Sequence, residues 1–97
     1  MILEVADIEI LPGHQAEFDE AIIHGLSTVT ARAKGFIGYR VLKGIESPTR
    51  YLLEVEWQTI ENHTVDFRQS EAFAVWRGIV GKFFARPPIV EHFDMLP

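Results

Sequence analysis

Apolar and polar positions alternate from the first residues of the chain. Residues 2–11 (ILEVADIEIL) are rich in β-branched and aliphatic side chains and end at Pro12-Gly13, a turn signal. At period two, Ile2, Ala6, Ile8 and Ile10 share one face, with Glu4 the polar exception, while Leu3, Val5 and Leu11 share the other with Asp7 and Glu9. Both faces are partly apolar, which predicts a strand covered on both sides. Over residues 14–34 the period changes: Phe18, Ile22, Leu26, Val29 and Ala33 recur at three- and four-residue spacings, one buried stripe of a helix. Glu17, Asp19 and Glu20 lie near its start and Arg32 and Lys34 near its end, matching the helix dipole, and Gly35 is placed to close it. Residues 36–43 and 50–58 read as two strands of a hairpin, the second carrying Tyr51, Leu53, Val55 and Trp57 on one face and Glu54 and Glu56 on the other. Thr59 opens a short helix to about Phe67, with Asn62 standing where a capping box carries Glu or Gln. Ser70-Glu71 opens a further helix with an apolar seam of Phe73, Trp76, Val80 and Phe83, stopped by Pro87-Pro88, and residues 89–95 form a last strand.

The order β-α-β-β-α-α-β predicts an α+β, ferredoxin-like sandwich, an antiparallel sheet with its helices on one face. The apolar residues on the other face require a cover that this chain does not supply. A second copy fits, so the expectation is a C₂ homodimer burying more than about 1,000 Å². His92, sharing its face with Val90 and Asp94, is expected at that interface.

Composition narrows the possibilities. A chain of 97 residues, 47% hydrophobic and 24% charged, is expected to form one domain over residues 1–97 and does not read as disordered. The absence of cysteine excludes disulfides, thiolate metal sites and cysteine nucleophiles. A net charge of −5 argues against nucleic acid as partner. No apolar run approaches the roughly 20 residues that span a bilayer, and Met1–Glu4 has no basic n-region, so a cytoplasmic protein is expected, with no membrane partner. His14, His24, His63 and His92 are scattered without metal-ligand spacing, and no glycine-rich nucleotide loop occurs. No metal and no cofactor is therefore expected.

Several segments carry a likeness to a known family. The run Ile8-Glu9-Ile10-Leu11-Pro12-Gly13, the strand Tyr51–Trp57, the segment Glu61-Asn62-His63 and the run Ser70-Glu71-Ala72-Phe73 resemble the antibiotic biosynthesis monooxygenase domain family, in the same element order along nearly the whole chain. Residues 86–93 resemble the closing strand of an uncharacterised bacterial branch of it. The resemblance implies a dimeric α+β barrel with a pocket between helices and sheet. The activities it implies range from cofactor-independent oxygenation of quinols and anthrones to haem degradation. The haem branch uses an Asn on the first strand, a Trp closing the third and a His on the late helix. Trp57 matches the Trp, but Ala6 and Arg77 stand at the other two positions, so haem degradation does not fit.

Candidate site residues follow from chemistry and position. His63, at the start of the short helix, has a side chain that ordinarily titrates near neutrality and is a candidate base, with Asn62 beside it a candidate to bind substrate; an exposed helical histidine is the plainer alternative. Glu56 is a candidate carboxylate to orient it. Arg68 and Arg77 can stabilise an enolate or peroxide charge, or sit in surface ion pairs. Trp57, Trp76 and Phe73 can form the walls for a flat aromatic substrate, and Tyr51 can donate to its oxygen, although large aromatics also fill cores. Two functions remain open: a cofactor-independent monooxygenase acting on a small electron-rich aromatic, and a non-catalytic small-molecule-binding or accessory module of the same fold. An open cavity with ionisable groups in its wall distinguishes the first from a closed apolar interior in the second.

Overall fold

The computed structural model describes residues 1–97. Four strands, β1 (Ile2–Glu9), β2 (Phe36–Lys43), β3 (Arg50–Trp57) and β4 (Ile89–Asp94), form one antiparallel sheet in the order β2-β3-β1-β4. Helices α1 (Gln15–Thr28) and α2 (Glu71–Val80) pack on one face of it, which is the α+β ferredoxin-like arrangement. Between β3 and α2 the chain makes a π-helical turn, Asn62–Phe67.

The inward face of β1 is Glu4, Ala6, Ile8 and, past the strand end, Ile10, all buried. Tyr51, Leu53, Val55 and Trp57 of β3 lie beside them, in the parity that the sequence pattern predicts. Phe18, Ile22 and Leu26 of α1 and Trp76 and Val80 of α2 close the core from above. After α2, a bridge between Ile10 and Phe84 and a hydrogen bond from the Ala85 N–H to the Glu9 carbonyl return the chain to the sheet, so that β4 pairs with β1.

α1 is shorter than the apolar stripe predicts. Its last residues are Ser27 and Thr28, whose hydroxyls donate to the His24 carbonyl, and Val29 and Thr30 extend a β-branched run that disfavours further helix. Residues 30–32 form a 3₁₀ turn instead, so Arg32 and Lys34 do not complement the end of α1. Val29 and Ala33 still pack on the core. Gly35 is left-handed, with φ of 81°, and turns the chain into β2. A Cβ there would sit 2.0 Å from the Asn62 carboxamide oxygen, so both the angle and the space demand glycine.

The helix-free face carries Leu3, Val5, Leu52, Ile89 and Phe93 among two ion pairs, Arg40–Glu54 and Arg50–Asp7. His92 is not on that face. It is paired with Glu4 across β1 and β4 and turned toward the helices, so its expected place at an interface between copies is corrected by the strand's parity. No helix is long and apolar enough to cross a membrane.

Candidate functional site

A cavity of about 210 Å³ lies between the sheet and the helices. Its floor is Glu4, Ala6 and Ile8 of β1, Leu53 and Val55 of β3, and Val90 of β4. Its walls are Leu26, Thr30, Phe67, Phe73, Trp76 and Phe84. Arg68, Arg77 and Pro87 also line it and are exposed, which marks where it meets solvent.

The π-helical turn explains how its polar wall is built. The Thr59 hydroxyl accepts from the Asn62 N–H while the Asn62 carboxamide oxygen accepts from the Thr59 N–H, a reciprocal cap with Asn in place of the usual Glu or Gln. The Arg68 N–H then bonds the His63 carbonyl, five residues back, and this wide turn sets His63, Phe67 and Arg68 on the cavity side. Asn62 itself also donates to Asp66 and does not line the cavity; its position in the structure is that of a cap.

The buried polar cluster centres on Glu4. The Trp57 Nε1–H donates to Glu4 Oε1 at 3.0 Å, and His63 Nε2 lies 3.4 Å from the same oxygen. On its other side, His63 Nδ1 is 2.8 Å from His92 Nε2. His63 is 3% exposed and stacks on Trp57 with ring centroids 5.4 Å apart, so it is a packed residue and the exposed-helix alternative is overturned. Burial, the Arg68 charge and His92 hold its pKa down to about 4, so it is a neutral imidazole at pH 7 rather than a base tuned to neutrality. His92 is likewise shifted down, by burial and by Arg68. Glu4 moves the other way. Burial raises its pKa to about 7, against the opposing effects of the Trp57 hydrogen bond and Arg68. The Glu4–His63 contact at 3.4 Å is therefore a polar contact with a neutral ring and not an ion pair.

Five of the nine sequence candidates line the cavity: His63, Arg68, Phe73, Trp76 and Arg77. Neither arginine is paired with a carboxylate, and Arg77 lies 6.0 Å over the Phe73 ring. Trp57 lies behind the cavity, where it holds Glu4. Tyr51 is outside it. Its hydroxyl donates to Asp19 at 2.5 Å, and burial together with that bond pushes its pKa up, so this hydroxyl is committed within the core. Despite some burial, bonds from Lys43 and Tyr51 keep Asp19 below the usual carboxylate range. Glu56 points to the helix-free face, opposite Trp57 in strand parity, and cannot reach His63; Glu4 is the carboxylate that does.

Glu4 and Thr30 complete the cavity wall, and neither stood out as chemistry in the sequence. Glu4 left a signal there, as the lone polar residue on the inward face of β1. The Thr30 hydroxyl is buried with no hydrogen-bond partner, a donor and acceptor left for something in the cavity to satisfy. The imidazoles and the carboxyl do not form a group of three that could hold a metal ion.

The fold and this cavity define a class: a small α+β protein with a chamber between sheet and helices, apolar on most sides and ionisable on one. The sequence model of the antibiotic biosynthesis monooxygenase family matches residues 1–78, and the chain belongs to that family. It is 36% identical over 94 residues to the uncharacterised protein YczJ of Bacillus subtilis (strain 168), covering 97% of this chain and 98% of that one. Among solved structures, a Bordetella bronchiseptica protein named for the antibiotic biosynthesis monooxygenases is 42% identical, with a TM-score of 0.93 over 99% of this chain and 97% of that one. A Nitrosomonas europaea protein of the same naming shares the fold at 18% identity, with a TM-score of 0.81 over 98% and 89% of the two chains. The two residues that break the haem-degrading pattern, Ala6 and Arg77, both line the cavity.

Proposed function

We propose that the protein is a cofactor-independent monooxygenase that oxidises a small electron-rich aromatic, a quinol or an anthrone, with O₂. The observation that carries this reading is the composition of the cavity wall: flat apolar sides from Phe67, Phe73 and Trp76, with Glu4, His63, Arg68 and Arg77 converging on the same space. The non-catalytic alternative calls for an interior without such groups. Family membership supports the reading at the level of the fold and the small-molecule site.

The chemistry needs an anion and a place to hold it. Removal of a proton from the bound aromatic leaves an electron pair on the substrate, and one electron passes to O₂. The substrate radical and superoxide then combine into a carbon-bound peroxide. Loss of water gives the carbonyl, so a ring CH₂ and O₂ become C=O and H₂O. The unpaired guanidinium groups of Arg68 and Arg77, at the mouth of the cavity, stabilise negative charge as it develops. The unpartnered Thr30 hydroxyl is suited to a substrate oxygen.

Purified protein in an oxygen electrode with anthrone and 1,5-dihydroxynaphthalene tests the reading. The expected result is uptake above autoxidation, unchanged by a chelator. Uptake no faster than autoxidation across such a panel contradicts it.

A further inference from the structure

We propose that Glu4 is the residue that takes the substrate proton, and that Trp57 and the His92–His63 pair are positioning residues that turn its free oxygen into the cavity. This inference rests on the reading that an aromatic substrate is deprotonated there, and it assigns that step to one side chain.

The geometry distinguishes the two carboxyl oxygens. Oε1 faces two nitrogens, Trp57 Nε1 at 3.0 Å and His63 Nε2 at 3.4 Å. Oε2 has no hydrogen bond and is the atom left to face the cavity that Glu4 lines. Trp57 can only donate, so Oε1 is always an acceptor toward it. The His63–His92 contact at 2.8 Å joins two neutral rings, and one proton must lie between them. If His92 Nε2–H donates to His63 Nδ1, then His63 carries its proton on Nε2 and turns it toward Glu4 Oε1, 3.4 Å away. The reverse arrangement turns a lone pair of His63 on a carboxylate oxygen. With Glu4 ionised, only the first arrangement keeps a lone pair of His63 from facing the carboxylate.

His92 thus fixes the tautomer of His63, and His63 with Trp57 fixes the carboxylate. In the step itself the substrate C–H or O–H bond breaks and the Oε2–H bond forms, with the electron pair remaining on the substrate. The same proton is returned when the peroxide loses water, so Glu4 ends the cycle ionised as it began. His63, with its proton on Nε2 and its Nδ1 accepting from His92, is not the acceptor.

The charged and titratable groups around Glu4 are His92 from β4, His63 and Arg68 from the π-helical turn, and Arg77 from α2. The Arg68 charge favours the ionised carboxyl, and Arg68 and Arg77 both favour an anion formed in the cavity they line.

Two measurements test the assignment. The first is anaerobic exchange of the anthrone methylene hydrogens with D₂O, which reads proton removal without any reaction with oxygen. Wild-type protein should accelerate exchange, with a rate that rises with pH through neutrality. Glu4→Gln, which keeps the acceptor for Trp57, should lose about 100-fold or more of that acceleration. His92→Leu should displace the pH profile, and His92→Gln, which retains a donor for His63 Nδ1, should restore it. The second is ¹⁵N NMR of the histidine rings in the wild-type protein without ligand, which should show His63 neutral and protonated on Nε2 at pH 8. Exchange that is absent in the wild type, or unchanged in Glu4→Gln, overturns the proposal, as does a His63 protonated on Nδ1 at pH 8. Glu4-dependent exchange without oxygen uptake upholds it and counts against the oxygenase reading alone.

Discussion

Glu4 and His63 are neighbours whose burial has opposite consequences for stability. Between 4.5, the ordinary value, and about 7, the folded protein holds the Glu4 proton more tightly than the unfolded chain does, so this group's contribution falls as pH rises through that window. His63 is held from 6.5 down to about 4, so the folded protein resists protonation there and its contribution falls as pH drops through that range. The two slopes oppose each other over most of the interval. Replacing Glu4 with Gln removes one of them. The variant is expected to gain stability over wild type between pH 5 and pH 8, by up to roughly 3 kcal/mol from the size of the shift, as read from urea midpoints at the two pH values. A difference independent of pH would show that Glu4 is ionised throughout. Much of this cluster was hidden in the sequence. The parity of β1 put Glu4 on the inward face, but nothing local revealed that β4 would bring His92 opposite it or that the turn after β3 would fold His63 onto Trp57. The contacts that Glu4 makes with Trp57, His63 and His92 span 53 to 88 residues of chain and depend on strand order and register.

At the level of elements, the strands and both main helices were legible because their apolar periods are strong and their ends carry turn or capping chemistry. Ser70 is an example: its side chain accepts from the Phe73 N–H at the start of α2. The end of α1 was not legible, since the stripe of Phe18, Ile22 and Leu26 continues through Val29 and Ala33 at helical spacing although the backbone does not. The π-helical turn was read only as a short helix, because five-residue backbone bonding leaves no separate mark in residue type. Gly35 ties this turn to the sheet. Gly35→Ala combines an unfavourable φ with a clash on Asn62, and is expected to cost more than about 1 kcal/mol and to loosen the turn. Thermal unfolding would show the first effect, and faster hydrogen exchange at the Arg68 amide the second. An unchanged melting temperature would mean that Asn62 moves aside freely. A second close approach lies between α1 and α2, where a Cβ on Gly25 would come within 2.9 Å of the Trp76 ring. Gly25→Ala is expected to shift that ring, destabilising the fold by roughly 1–3 kcal/mol and weakening anthrone binding, measured by fluorescence titration.

For the whole molecule, the sheet divides two tasks. Its inner face builds the core and the cavity. Its outer face sets exposed Ile89, Phe93 and Leu42 beside the half-buried Leu3, Val5 and Leu52, with the Arg40–Glu54 and Arg50–Asp7 pairs among them. An apolar centre crossed by satisfied ion pairs suits a symmetric interface, and we expect a dimer through this face. Light scattering should give twice the 11.1 kDa monomer mass, and Leu52→Glu should reduce it; a wild-type protein that scatters as a folded monomer would contradict this. Fold and family were readable from the chain because they rest on the order of elements and on segments such as the Tyr51–Trp57 strand. The chemistry depends instead on a cavity that forms only when α1, α2 and the turn close over β1, with Glu4 as its one buried carboxyl. The proposed function requires one oxygen atom from O₂ to enter a substrate held there. Mass spectrometry of the product formed from 1,5-dihydroxynaphthalene under ¹⁸O₂ measures this directly. One ¹⁸O atom in the hydroxynaphthoquinone, with the other in water, is the expected result; an unlabelled product, or hydrogen peroxide released in proportion to the oxygen consumed, would contradict it.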